Sequence, residues 1–314
     1  MKRRPQQKES TMDLVLGIDI GGTRVKCAWF DRATGRMEGS EVIPTRDCTD
    51  PDGTPAFAED VRTQIGHIEQ NLGIRFSGIG IAAPGLASAD QRKIVCMPGR
   101  LAGLAGLDWS SLLSRDFAIP VVNDAHTALL GEAWQGAAKD LRNVVMLTLG
   151  TGVGGAILTD GRLLTGSIGR AGHLGHMSLH RHGEKDIVGT PGSLEDAIGE
   201  CTLARRSGGR FESTLELIAA VDAGDPRALG LWMHSVDALA AALGSLINIL
   251  DPECIVIGGG VAQAGDVLFN PLRRRMEQIE WRPLGRGVPI VPAQLKDWGG
   301  AFGAAWTALN PDAR

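Results

Sequence analysis

No two of the five cysteines, Cys27, Cys48, Cys96, Cys201 and Cys254, are spaced as a CxxC pair. An odd, dispersed set argues against a disulfide framework and for reduced core or surface thiols in a cytoplasmic protein. Long apolar runs are also missing: glycine or polar residues break each stretch before the roughly 18–20 residues a membrane span needs, so no membrane partner is expected. Nor is there an excess of positive charge. Lys and Arg total 32 against 36 Asp and Glu, a net charge of −4, which gives no electrostatic reason to expect nucleic acid or an anionic membrane as partner. The start, MKRRPQQKESTMD, is basic but has no apolar signal core, and residues 1–12 read as a disordered tail.

What the chain does have is glycine at the ends of apolar runs. Leu14-Val15-Leu16-Gly17-Ile18 leads to Asp19; Gly21-Gly22-Thr23 turns the chain, and Val25–Phe30 returns it with β-branched and aromatic residues. This reads as strand, tight turn, strand. Two glycines let the backbone approach a ligand and leave N–H groups available, and the Thr23 hydroxyl adds a donor, so a phosphate fits there. Asp19 could hold a cation through water. An ordinary glycine hairpin is the competing reading. The device recurs about 130 residues later: Val144–Leu149 is closed by Gly150-Thr151-Gly152-Val153-Gly154-Gly155, and Ala156-Ile157-Leu158 returns. Two such hairpins, each heading half of a 314-residue chain, suggest two α/β lobes gripping one polyphosphate.

Between and after the hairpins the periodicity predicts helices over Ala56–Leu72, Ser110–Phe117, Ala125–Ala138, Ala197–Arg205, Pro226–Leu250, Asp266–Gln278 and Gly299–Leu309. Strands are predicted over Glu41–Pro44, Ser77–Ala83, Ile119–Val122, Cys254–Ile257 and within Val288–Leu295. Leu229, Trp232, Val236, Leu239, Leu243, Leu246 and Leu250 form one apolar stripe, read as core with a dimer contact as a second use. Asn123-Asp124 falls between a strand and a helix, where an α/β sheet presents side chains to a ligand; Asp124 reads either as a general base or as a plain helix cap. Gly258-Gly259-Gly260, after a strand, lets the backbone lie close to a flat or charged group such as the adenosine end of ATP.

Six motifs stand in one order: D-I-G-G-T at Asp19–Thr23, A-P-G at Ala83–Gly85, N-D-A at Asn123–Ala125, L-G-T-G-V-G-G at Leu149–Gly155, G-x-L-G-H at Gly172–His176 and G-G-G at Gly258–Gly260. In this the chain resembles the ROK family of bacterial sugar kinases and repressors, over roughly Leu14 to Leu309. The resemblance implies an α/β, two-lobed actin-like (ribonuclease-H-like) ATPase fold with a cleft between lobes. It places a small domain over 13–124 plus 299–314, a large one over 125–298, and part of the hinge in the last helix. It further implies a glucokinase-like homodimer using ATP and Mg²⁺, with Asp124 as base toward a primary hydroxyl. Asn123, His173, His176, Glu195 and Gly85 would face the sugar. Gly21, Gly22, Thr23, Gly150, Thr151, Gly152, Gly154, Gly155 and Gly258–Gly260 would hold ATP, with Asp19 reaching Mg²⁺ through water.

The chain departs from the family's wording in three places. The glycine-rich loop Met97–Trp109, whose family counterpart covers the sugar, carries Gly99-Arg100 where an Asn usually follows the proline. His173 stands where family kinases have Glu, so an acceptor-only carboxylate gives way to a ring that donates and accepts. Zinc-holding members carry three cysteines where this chain has Asp186, Val188 and Ser193; no structural zinc is expected, and His176, His180 and His182 read as a loop of solvated histidines. Glu195 survives, with a helix first-turn acid as its plainer reading. The sugar stays open among glucose, an amino sugar, an N-acetylhexosamine and a cyclitol. A sugar sensor without turnover is the main alternative. A DNA-binding repressor is disfavoured by the dozen or so residues before Leu14, and a scaffold ATPase by the sugar-facing set.

Overall fold

The computed structural model describes residues 13–50, 53–97 and 99–311; the tail expected over 1–12 lies outside them. The chain forms two compact units. Among the described residues, one takes in those up to Asp124 and those from Ala304 on, and the other comprises Ala125–Gly303.

In the first unit the glycine hairpin is β1 (Leu14–Ile20) and β2 (Arg24–Asp31), extended antiparallel by β3 (Met37–Pro44). Helix α1 (Ala56–Leu72) leads to β4 (Gly78–Ala83); a minor pair, β5 (Leu86–Ala87) and β6 (Ile94–Cys96), and the short α2 (Trp109–Leu112) precede β7 (Val121–Asn123). The sheet order is β3-β2-β1-β4-β7, with β1, β4 and β7 parallel. β4 is buried along its whole length, as a parallel strand covered on both faces must be. α1 turns Phe57, Val61, Ile65 and Ile68 into the core and ends on Gly73 at φ 66°, the left-handed stop glycine allows. Burial, with Glu41 nearby, pushes the Cys27 thiol up to about 12.

Two sequence expectations need correction here. β3 spans eight residues rather than Glu41–Pro44, because it is an edge strand pairing with all of β2 while its side chains stay half-buried or exposed; such a strand has little apolar period to read. The helix expected over Ser110–Phe117 stops at Leu112, since Ser114 takes φ 48° and the Ser110 hydroxyl accepts from Ile119 N.

The second unit repeats the plan. Helix α3 (Asp124–Gln135) begins at the unit boundary, and β8 (Val144–Leu149), β9 (Val153–Thr159) and β10 (Arg162–Leu163) follow. Then come α4 (Leu194–Ile198), α5 (Leu203–Arg206), α6 (Thr214–Asp222), α7 (Pro226–Leu250), β11 (Cys254–Gly258), α8 (Asp266–Ile279), β12 (Ile290–Pro292) and α9 (Gly299–Leu309). The order β10-β9-β8-β11-β12 matches the first sheet strand for strand, with β8, β11 and β12 parallel.

The helix expected over Ala197–Arg205 is broken. Gly199 is extended, at φ −61° and ψ 144°, and divides α4 from a 3₁₀ turn and α5. α6 has no counterpart among the sequence expectations, although the Ser213 hydroxyl caps it at Glu216 N. α7 is capped by Asp225 and primed by Pro226. Contrary to the expectation from apolar runs, it is long and apolar enough to cross a membrane by length and composition. Its stripe from Trp232 to Leu246 nevertheless belongs to the core, whereas Leu229, expected in that stripe, is 47% exposed.

Helix α9 is shared between the units, and its glycines and alanines permit close approach. In the first unit a Cβ on Gly80 of β4 would overlap the Ala304 carbonyl; in the second, one on Gly303 would overlap the Thr127 carbonyl. Gly80→Ala is therefore expected to destabilise the protein by about 2 kcal/mol, the cost of overpacking against backbone. An unchanged midpoint of urea unfolding would refute this contact.

Candidate functional site

In the first unit, the residues singled out from sequence collect at the C-terminal ends of the three parallel strands, the edge of an α/β sheet where ligands bind. β1 ends beside the turn at Gly21. There Gly21 N donates to Arg24 O at 3.0 Å, and Gly22 and Thr23 are open to solvent. The turn is braced from outside: the Thr45 hydroxyl donates to Gly21 O at 2.7 Å and Thr45 N to Thr23 O at 3.0 Å. Asp19, half-buried, stands opposite Lys26 in the hairpin register. β4 runs into Pro84-Gly85, where Gly85 has φ 103° and a Cβ would strike the Cys96 carbonyl. β7 ends at Asn123, whose Nδ2 donates to Gly85 O at 3.0 Å. Asp124 is the next residue, half-buried in the first turn of α3. Asn123 and the A-P-G turn are thus one hydrogen-bonded assembly.

In the second unit the glycine turn closes with Gly150 N on Gly152 O at 2.9 Å. It is held from below by Glu200 N on Gly150 O at 3.0 Å and Cys201 N on Thr151 O at 2.8 Å. Glu195, in the first turn of α4, accepts from Val153 N at 2.9 Å, and its carboxylate fills the space a side chain on Gly152 would take. Gly259, at φ 86°, lies against the backbone of Leu149, so the Gly258–Gly260 group and Gly150 are neighbours. Gly154 and Gly155 are required for packing: a Cβ on either would strike Thr148 or the Gly172 carbonyl.

The histidines divide. His180 and His182 stack edge-on with ring centroids 6.2 Å apart, both exposed. His176 does not belong to a loop of solvated histidines, which corrects the sequence expectation: its Nδ1 lies 2.8 Å from Oδ2 of Asp186, a carboxylate with a side chain only 2% exposed. The other oxygen, Oδ1, accepts from Val188 N at 3.1 Å and Thr190 N at 2.8 Å. Burial raises the Asp186 carboxyl, but hydrogen bonds from His176, Thr190 and Ser193 outweigh it and hold the group below the ordinary carboxylate range. Of the other two residues at the cysteine positions, Val188 is 56% exposed and Ser193 caps α4. Among the described residues no three His, Cys, Asp or Glu side chains gather as metal ligands.

Sequence reasoning missed His126. It sits buried on α3 with Nε2 3.0 Å from the Ala171 carbonyl and its ring edge-on to His173, centroids 5.8 Å apart. Burial first, then His173, pushes its pKa down to about 4. A ring with that folded pKa is neutral at pH 7, with Nε2–H donating to Ala171 O. The unfolded chain takes up this proton near the ordinary value of about 6.5. Stability is therefore full above pH 6.5 and falls as the pH drops toward 4. Urea unfolding of wild type and His126→Gln at pH 7.5 and 5 checks this; the acid loss should be smaller in the variant.

Compared with known proteins, residues 15–310 match the model of the ROK family. A glucokinase of Halalkalibacterium halodurans is 31% identical over 321 residues, covering 93% of this chain and 93% of the relative. An N-acetyl-D-glucosamine kinase of Salmonella gallinarum is 29% identical, covering 94% of this chain and 99% of the relative. Among solved structures, the ROK hexokinase of Thermus thermophilus superposes with a TM-score of 0.77 at 30% identity, covering 94% of this chain and 97% of its own.

Proposed function

The chain belongs to the ROK family and is a sugar kinase with the actin-like ATPase fold, and from that premise we propose that it transfers the γ-phosphoryl group of ATP to the 6-hydroxyl of a hexose or hexose-like sugar. The observation that carries the reading is the Asn123–Gly85 hydrogen bond. It fixes the strand end bearing Asp124 to the A-P-G turn, in the same unit as the open turn at Gly21–Thr23.

Asn123 and Gly85 orient the sugar, and Asp124 takes the hydroxyl proton. The sugar oxygen forms a bond to the γ-phosphorus while the bond from that phosphorus to the β,γ-bridging oxygen breaks, and ADP leaves with the electron pair. At the turn Gly21-Gly22-Thr23, the amides of Gly22 and Thr23 and the Thr23 hydroxyl balance charge on the transferred group. Gly150–Gly155 and Gly258–Gly260 receive the rest of the nucleotide. Asp19, a hard oxygen donor at the end of β1, would hold Mg²⁺ carried by the nucleotide, which when bound would supply charge neutralisation on the phosphates.

His176, turned by Asp186, presents Nε2 as an acceptor to a sugar hydroxyl. Glu195 and His173 complete the sugar contacts. His173 in place of a carboxylate gives the enzyme a preference distinct from that of a standard glucokinase.

The test is a coupled ADP-release assay with Mg²⁺-ATP against hexoses, N-acetylhexosamines, amino sugars and cyclitols. Sugar-dependent ADP release is expected on one class. Binding of a sugar by calorimetry with no turnover on any would replace the kinase by a sensor.

A further inference from the structure

The glycine turn that is read as seating the transferred phosphate carries a cation that the motif does not supply. A Cβ built on Gly22 would stand 2.9 Å from Nη1 of Arg100 and 3.6 Å from its Cζ, so the guanidinium lies directly over the exposed turn. Arg100 is itself exposed, and among the described residues no carboxylate forms an ion pair with it. Its charge is therefore available to a ligand on the turn.

Three consecutive residues after β3 tie this arrangement together. Thr45 holds the turn through Gly21 O and Thr23 O. Arg46 grips Asp60 of α1 through Nε at 2.8 Å and Nη2 at 2.6 Å. Asp47 accepts from Leu101 N at 2.8 Å and Ala102 N at 3.1 Å, the two amides that follow Arg100. Leu101 is buried and held at φ 53°, a conformation disfavoured for a branched side chain, and Gly103 at φ 86° fits against Pro55 with no room for a Cβ. The backbone beneath Arg100 is thus fastened to the same strap as the turn beneath Gly22.

We propose that Arg100 is a phosphoryl-contacting residue: its guanidinium engages the oxygens of the group seated on Gly21-Gly22-Thr23, adding a full positive charge where the turn offers only amide dipoles and one hydroxyl. A planar fork of donors suits phosphate oxygens, and a cation fixed beside the transferred group stabilises the charge it carries through the transition state. The proposal rests on the reading that this turn holds the γ-phosphoryl group of ATP.

Arg100→Gln, Arg100→Lys and Arg100→Ala are compared with wild type at saturating sugar. Arg100→Gln should lower kcat at least ~10-fold and weaken a non-hydrolysable ATP analogue while leaving ADP affinity and melting temperature unchanged. Lysine should restore part of the loss, and millimolar guanidinium should restore part of it in Arg100→Ala. A kcat within twofold of wild type, a gain in rate, or an equal loss of ADP affinity would overturn the assignment while wild-type turnover leaves the kinase reading standing. Absence of sugar-dependent ADP release in wild type would overturn the phosphate-turn reading itself.

Discussion

Asp124→Asn should leave sugar affinity near its wild-type value and lower turnover by at least ~10²-fold, the loss usual when a positioned acid–base group is removed. The substitution separates the two roles a residue at this position can have. Asp124 is the first residue of α3 and an acid in its first turn, where either a carboxylate or an asparagine amide serves the helix well. If Asp124 only supports the helix, asparagine costs almost nothing in stability or rate. If it receives the hydroxyl proton, asparagine cannot, although its size and hydrogen-bonding reach are the same. The bond from Asn123 to Gly85, proposed to orient the sugar, involves neither carboxylate oxygen, so binding should be preserved. Steady-state kinetics beside sugar calorimetry and urea unfolding give the three numbers needed; near-normal turnover would remove Asp124 from the chemistry.

The duplicated architecture is legible in the sequence because it rests on local rules. Each half opens with an apolar run, a glycine turn and a returning run, and each becomes the antiparallel hairpin of a sheet whose remaining strands are parallel. The apolar runs of β4, β8 and β11 are continuous because those strands are buried, and α1, α7 and α9 follow the periodicity to the residue. What escapes the sequence depends on partners distant along the chain. β3 is a strand because β2 offers it an edge. α4 and α5 are separate because one residue, Gly199, turns extended at φ −61° and ψ 144°. Leu229 fits the stripe of α7 by spacing, yet it is 47% exposed while Ala228 and Trp232 beside it are buried.

The site divides in the same way. The glycine turns and Asn123-Asp124 are contiguous motifs and can be read directly. The brace from Thr45, the burial of His126 and the partnership of Asp186 with His176 join residues 10 or more positions apart, with no spacing rule to announce them. At Asp186 the sequence shows only that a cysteine is missing.

Asp186→Asn is accordingly expected to lower kcat/KM for the sugar by about 10- to 100-fold, the scale on which residues that orient a binding group act, with the KM for ATP little changed. In wild type the carboxylate accepts from His176 Nδ1, the contact that selects the tautomer whose lone pair is on Nε2. An asparagine oxygen can keep the Val188 and Thr190 amides that Oδ1 now accepts, so the loop is retained. Its nitrogen then faces Nδ1 as a donor, the proton moves to Nε2, and the ring offers the sugar a donor instead of an acceptor. The variant should therefore lose most on the preferred sugar and least on analogues lacking the hydroxyl that His176 is proposed to meet. Asp186→Ala frees the ring and the loop together and should lose at least as much on every sugar. Equal kinetics for wild type and Asp186→Asn across the sugar panel would show that His176 needs no orienting partner, and that the carboxylate serves the loop alone.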